Sequence, residues 1–321
     1  MKRVVIVGLT VLGVLVLAGG LWFAGRGAVG QSGAPRPTES AASEPMTSEA
    51  PASGPSVSGS PTLLAPGDRN LTIDVGGRKR SLILHVPTTT TGPLPLVLVF
   101  HGAYGTAADT KRTTDFDRAA DAHGFLVAYL QGYQDFWNDL AGHTAAQQAG
   151  MDDVAFASAA IDEISRLEPV DQQRVVAAGF SNGALLADVL GCQLADRLAL
   201  IVVASGPFSE QVSQSCNPAR PVSVLETHGT ADPTIPYDGG HFSSDTGGET
   251  VLSAPDSAAR WAQLDGCDAT PSSKTISNAV VTSYSGCRDG TTVTLRSLQG
   301  WRHAWPPSVG ELVAEAMDAA K

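Results

Sequence analysis

Four stretches of the chain are apolar at nearly every position: residues 96–100, 125–129, 174–178 and 200–204. A strand with one wet face would alternate apolar and polar positions, so these unbroken runs predict strands covered on both faces. Residues 222–226 read the same way, and residues 291–298 form a further strand-like run. Residues 71–75 and 81–86 are shorter and mixed, and Gly76-Gly77 between them predicts a hairpin. Elsewhere the apolar spacing lengthens to the helical period, which predicts helices over 153–167, 184–190, 258–264 and 310–320. Strands alternating with helices predict an α/β domain, a mostly parallel central sheet with helices on both faces. Ligands of such sheets bind beyond the carboxyl ends of the strands, so the residues after each apolar run are the first candidates for chemistry.

Composition then limits how much of the chain this domain occupies. Residues 27–64 are mainly Ser, Pro, Ala, Gly and Thr, with too few large apolar side chains to bury surface, and are expected to form a disordered linker. Lys2 and Arg3 precede an uncharged, largely apolar stretch over residues 4–24. That is the pattern of an export signal, and it is long enough to stay behind as a membrane anchor. The expected organisation is therefore a signal peptide or signal anchor over 1–26, the linker over 27–64 and one folded domain over 65–321. The protein is expected outside the cell, or on the outer face of the membrane if the signal is retained. No cysteine precedes Cys192, so the lipidated cysteine of a bacterial lipoprotein is absent. The net charge of -11 and the lack of a dense Lys/Arg cluster argue against nucleic acid as a partner. A monomer acting without a cofactor is expected.

The strongest chemical signal follows the run at 174–178. Gly179-Phe180-Ser181-Asn182-Gly183 lies between a predicted strand and a predicted helix, the setting of a nucleophile elbow. A serine on so sharp a turn is strained, and only small neighbours let strand and helix approach closely enough to expose its hydroxyl. A neutral hydroxyl needs a base within hydrogen-bond reach, and histidine suits that task near neutral pH. The chain order on such an elbow is serine, acid, histidine, which leaves His228, His241 and His303. His303 stands in a turn-rich segment after a strand and before the last helix, and is the expected base. His228 precedes the best acid and reads as a turn residue, while His241 reads as solvated surface. Asp232, in the Asp-Pro turn after the strand at 222–226, is the expected acid, fixing the imidazole tautomer and stabilising the imidazolium. An oxyanion hole needs backbone N–H donors. Asn182 should give one, and the loop His101-Gly102-Ala103-Tyr104-Gly105 the other, from Ala103 first and Tyr104 next. His101 reads as a structural residue of that loop. Arg302 and Trp305, flanking His303, are expected with Tyr104 in the substrate pocket.

The four cysteines are Cys192, Cys216, Cys267 and Cys287. Export favours their pairing, and three connectivities exist. Neighbour pairing, Cys192 with Cys216 and Cys267 with Cys287, closes the shortest non-overlapping loops and is the expected one. A metal site is not expected, since no Cys-x-x-Cys spacing occurs and no histidine adjoins a cysteine.

Five segments together resemble the polyhydroxybutyrate-depolymerase and feruloyl-esterase group of α/β-hydrolases. They are His101-Gly102-Ala103-Tyr104-Gly105, Asp152-Asp153-Val154-Ala155-Phe156, Gly179 to Ala184, His228-Gly229-Thr230-Ala231-Asp232-Pro233 and His303-Ala304-Trp305-Pro306. The resemblance implies the α/β-hydrolase fold, the triad Ser181, Asp232 and His303, and both neighbour disulfides. It also implies a small or oligomeric ester substrate: a short polyester, or a hydroxycinnamoyl or acetyl ester. Arg302 stands where a glycine commonly precedes the catalytic histidine, and Pro307 replaces a glycine that often follows the Trp-Pro pair, so the pocket departs from the family pattern. A peptidase or lipase on the same fold, or an inactive cell-surface binding module, are the competing expectations.

Overall fold

The computed structural model describes residues 64–88, 91–141, 143–244 and 247–319. The chain enters the sheet as the predicted hairpin, β1 (Gly67–Val75) and β2 (Arg78–Val86), paired antiparallel. Gly76 and Gly77 turn it with φ of 58° and 79°, a region that glycine enters without steric cost. The apolar runs become β3 (Leu94–Phe100), β4 (Leu126–Leu130), β5 (Val170–Phe180), β6 (Leu200–Ala204) and β7 (Ser223–Gly229). Then follow β8 (Gly240–Ser244), β9 (Gly247–Val251), β10 (Ser272–Ile276), β11 (Ala279–Tyr284) and β12 (Val293–Leu298).

Among the described residues ten strands form one sheet in the order β1-β2-β4-β3-β5-β6-β7-β12-β11-β10, and β8 pairs only with β9. The six strands from β4 to β12 run parallel, and antiparallel hairpins extend both ends. Period-two alternation divides each central strand between two cores. Leu96, Leu98 and Phe100 face one, Val97 and Val99 the other; Val175 and Ala177 share the first, Val176 and Ala178 the second. Each fully buried Leu, Val or Phe contributes about 1.5–3 kcal/mol, which both faces must supply for these runs to be stable.

The helices are α1 (Ala107–Thr113), α2 (Phe116–His123), α3 (Ala145–Gln148), α4 (Asp153–Leu167), α5 (Asn182–Gln193), α6 (Glu210–Ser215), α7 (Ala254–Asp265) and α8 (Val309–Ala319). Apolar faces of α4, α5 and α7 close the first core, and those of α2 and α8 the second. The fold class is therefore as expected, with helices on both faces. The helix expected over 258–264 begins earlier, because Ser253 caps it by accepting the Asp256 N–H at 3.1 Å.

Both neighbour disulfides are present. Cys192–Cys216 ties α5 to the end of α6, and Cys267–Cys287 ties the residues after α7 to the approach to β12. Among the described residues no helix is long and apolar enough to cross a membrane. The expected signal segment, 1–26, and the linker up to residue 63 lie outside the described residues. Leu64, expected as the last linker residue, packs on the first core and donates its N–H to Glu168.

Candidate active site

The serine turn is as tight as its glycines imply. A Cβ on Gly179 would lie 1.9 Å from the Gly183 carbonyl oxygen, and one on Gly183 would lie 2.3 Å from the Phe100 oxygen. No side chain fits either gap, so β5, α5 and the end of β3 meet through bare backbone. Ser181 sits between them at φ 54°, a conformation costly for a residue with a Cβ. Its N–H donates to the Ala204 oxygen at 2.9 Å, which fixes the turn to the end of β6.

The acid and the base come from neighbouring strands. β7 and β12 pair in parallel, so the loops after them leave the sheet side by side. Thr230 N–H donates to the Leu298 oxygen at 3.0 Å and Ala231 N–H to the Trp301 oxygen at 3.1 Å. Gly229 allows this lacing, since a Cβ there would be 2.2 Å from the Trp301 oxygen. The loops bring His303 Nδ1 to 2.8 Å from Asp232 Oδ2, while His303 Nε2 lies 2.9 Å from Ser181 Oγ. The three residues expected as a triad are thus joined by two hydrogen bonds. With Nδ1–H donating to the carboxylate, Nε2 is free to accept from the serine hydroxyl.

Asp232 serves its turn and the histidine at once. Oδ1 accepts the N–H groups of Thr234 and Ile235 at 2.8 and 3.1 Å, leaving Oδ2 for His303. Burial works against its ionisation, but His303 and the two backbone donors outweigh it and hold the carboxyl below its usual range. His228 is not a turn residue. It lies fully buried on β7, with Nε2 donating to the Ile235 oxygen at 3.0 Å, and burial lowers its proton affinity. Its ring therefore supports the acid loop from below. His241 is exposed, as expected.

Asn182 is the first residue of α5, where a backbone N–H has no intrahelical acceptor. Its side chain is clamped: Oδ1 accepts the Trp137 N–H at 2.8 Å and Nδ2 donates to Asp139 Oδ2 at 2.5 Å. Of the two alternatives for the second oxyanion donor, Tyr104 has its N–H committed to the Asp135 oxygen at 3.0 Å, and Ala103 borders the cavity. His101 holds the loop as expected. It is buried, its Nδ1–H donates to the Gly102 oxygen at 2.8 Å, and its Nε2 accepts the Gly132 N–H at 2.9 Å.

A cavity of about 240 Å³ opens beside Ser181 and His303. Phe136, Phe180, Leu185, Ile235 and Phe242 form its apolar walls, and Tyr104 stands at its edge, 61% exposed and edge-on to Phe136 at 4.8 Å. Trp305 and Arg302 do not line it. Trp305 stacks on Phe180 at 5.5 Å and meets Phe116 edge-on at 5.7 Å, so its ring is spent on seating the histidine loop. Arg302 is exposed outside the cavity. Two acids that sequence reasoning missed do line it, Asp139 and Glu249. Burial pushes Asp139 up to about 6 despite its bonds from Ala141 and Asn182. Burial, reinforced by the nearby Asp139, pushes Glu249 up to about 8. Asp139 follows the strand run at 125–129 within a loop, where a search at strand ends could have found it. Glu249 lies in a Gly-rich polar stretch with no such signal.

Residues 131–246 match the Phospholipase/Carboxylesterase family. The chain is 32% identical over 235 residues to feruloyl esterase B of Piromyces equi, covering 70% of this chain and 42% of that protein. It is 25% identical over 238 residues to feruloyl esterase C of Emericella nidulans, covering 73% of this chain and 80% of that one. The chain thus spans less than half the length of feruloyl esterase B. The structure superposes on an acetyl xylan esterase from Aspergillus awamori with a TM-score of 0.59 at 16% identity, over 79% of this chain and 99% of that one. At that identity the likeness concerns the fold.

Proposed function

Because the chain belongs to the esterase-like α/β-hydrolase family, we propose that it is an exported serine hydrolase of carboxylic esters, acting through Ser181, His303 and Asp232. The observation that carries this reading is His303 bridging Ser181 Oγ and Asp232 Oδ2 at 2.9 and 2.8 Å, with the serine held on a strained turn.

In this reading His303 Nε2 takes the hydroxyl proton as Ser181 Oγ attacks the ester carbonyl. The charge that develops on the carbonyl oxygen is met by the N–H groups of Asn182 and Ala103, and Asp232 stabilises the imidazolium. His303 returns the proton to the departing alcohol, which leaves an acyl group on Ser181. Water then attacks the acyl-enzyme with His303 again as base, and the carboxylic acid leaves as Ser181 regains its proton.

The named feruloyl esterases favour hydroxycinnamoyl esters as substrates, and the apolar aromatic walls accept a neutral acyl group. The disulfides and the basic, then apolar, start of the sequence support export. The test is a panel of methyl ferulate, p-nitrophenyl acetate, a long-chain ester and a peptide anilide. Turnover of the first two with a burst of released alcohol is expected. Cleavage of the anilide alone, or of nothing, would overturn the proposal.

A further inference from the structure

The catalytic cavity contains a polar group that the reaction above does not use. Glu249 reaches it from β9, and its Oε1 is shielded from solvent yet has no hydrogen-bond partner among the described residues. A buried oxygen without a partner is unfavourable by about 1–3 kcal/mol; the Ser209 hydroxyl lies beside the carboxyl and favours its ionised form, while the apolar walls, Phe242 and Leu185 among them, offer Oε1 nothing. A hydroxyl that enters the cavity can complete it. Asp139 lines the same space, and its carboxylate accepts from the side chain of Asn182, the residue after Ser181.

We propose that Glu249 is a specificity-determining residue: it binds a hydroxyl carried by the acyl group, and Asp139 beside it disfavours acyl groups that carry a negative charge. The inference rests on the ester-hydrolase reading. A hydroxyl can accept a proton from the carboxylic acid or donate one to the carboxylate, so it satisfies Glu249 in either state. Because burial holds Glu249 up at about 8, the carboxyl is mostly a neutral donor at neutral pH. An anionic acyl group must instead enter a poorly solvated space beside Asp139, which burial holds up only to about 6 and which is therefore charged at neutral pH, and like charges repel more strongly there than in water. The apolar walls accept the body of an aromatic or short aliphatic acid, and the Glu249 carboxyl sets its orientation.

Two acyl types carry such a hydroxyl, a phenolic acid and a hydroxyalkanoic acid, and paired substrates distinguish them. kcat/KM of the full-length protein is measured for methyl p-coumarate against methyl cinnamate, for ethyl 3-hydroxybutyrate against ethyl butyrate, and for monomethyl against dimethyl succinate. The hydroxylated member is expected to win about tenfold in at least one of the first two pairs, and that pair identifies the acyl type. Dimethyl succinate should exceed its anionic partner by at least as much. Glu249→Ala should bring the hydroxyl ratio towards one, whereas Glu249→Gln, which keeps a donor and an acceptor, should retain most of it. Ester turnover with ratios near one in both hydroxyl pairs would overturn the inference while leaving the ester-hydrolase reading intact. So would a hydroxyl ratio unchanged in Glu249→Ala. Wild-type ratios near one overturn the inference whether or not a variant folds. Absence of any ester turnover would instead remove the reading on which the inference stands.

Discussion

The ends of the central strands and the β8–β9 hairpin border the same cavity, and they are built on opposite terms. At the strand ends the backbone has no slack: β5 meets α5 with Gly179 and Gly183 in contact, and the loops after β7 and β12 are laced by backbone hydrogen bonds. The hairpin stands outside the ten-stranded sheet and is tied down mainly by a small cluster in which Phe242 and Val251 meet Leu185 and Ile235. The tight region holds the groups that must meet within hydrogen-bond distance, and the looser one supplies Phe242 and Glu249 to the wall. In the proposed reaction, chemistry is placed where movement is prevented by packing, and selection where the sequence can change without disturbing the sheet.

The contrast predicts a graded series of effects. The largest belongs to Gly179→Ala, whose new methyl has only backbone to displace. A loss of more than about 3 kcal/mol is expected by denaturant titration, up to failure to accumulate folded protein. A variant of wild-type stability would mean that the strand and helix are not in contact. Asp232→Asn should stay folded yet lose about 10⁴-fold in kcat, since an amide can stabilise the wrong imidazole tautomer. Steady-state kinetics checks this, and near-normal turnover would move the acid elsewhere. Removing the Cys192–Cys216 bridge by a double Cys→Ala replacement should cost about 2–4 kcal/mol of stability while KM changes little, because the bridge joins α5 to α6 away from the triad.

Stability should also fall as the pH rises. Glu249, held up at about 8, and Asp139 and Asp265, held up at about 6, all bind protons more tightly folded than unfolded, where a carboxyl titrates near about 4. Their stabilising contribution is complete below that unfolded value and is lost as the pH climbs through 6 and then 8. Asp232, held low, behaves oppositely, but its contribution is lost only in acid. The buried His101 and His228, whose proton affinity burial lowers, work the other way up to about pH 6.5, so thermal midpoints should decline from pH 7 to pH 9, and Glu249→Gln should flatten the part of the decline near pH 8. A flat wild-type profile would contradict the buried, protonated state of these acids. The smallest effect is expected from Arg302→Gly, within about 0.5 kcal/mol in stability and with wild-type proportions across an ester panel, since Arg302 is exposed and off the cavity.

The same contrast explains what the sequence could reveal. Strands β3 to β7 are legible because both faces are buried, which forces unbroken apolar runs, and the elbow glycines because nothing else fits. The triad follows from these, since its members sit just past such runs. β10 is exposed at every position and β8 and β9 are short and Gly-rich, so no burial stamps a period on them. Glu249 was invisible for that reason. Trp305 was misplaced because an aromatic beside the base can wall a pocket or seat a loop, and only the positions of Phe180 and Phe116 decide between the two. Asp232 could be read as a turn residue or as the acid, and its two oxygens serve both roles.

The central claim is that the tightly packed serine turn performs the chemistry. It is tested most directly by comparing kcat/KM of Ser181→Ala with that of the wild type on the best ester of the panel, with circular dichroism to confirm the fold. A fall of at least about 10³-fold in a folded protein is predicted, because the variant loses the acyl acceptor while its packing is unchanged. A folded Ser181→Ala protein that hydrolyses the ester within tenfold of wild type would contradict the account.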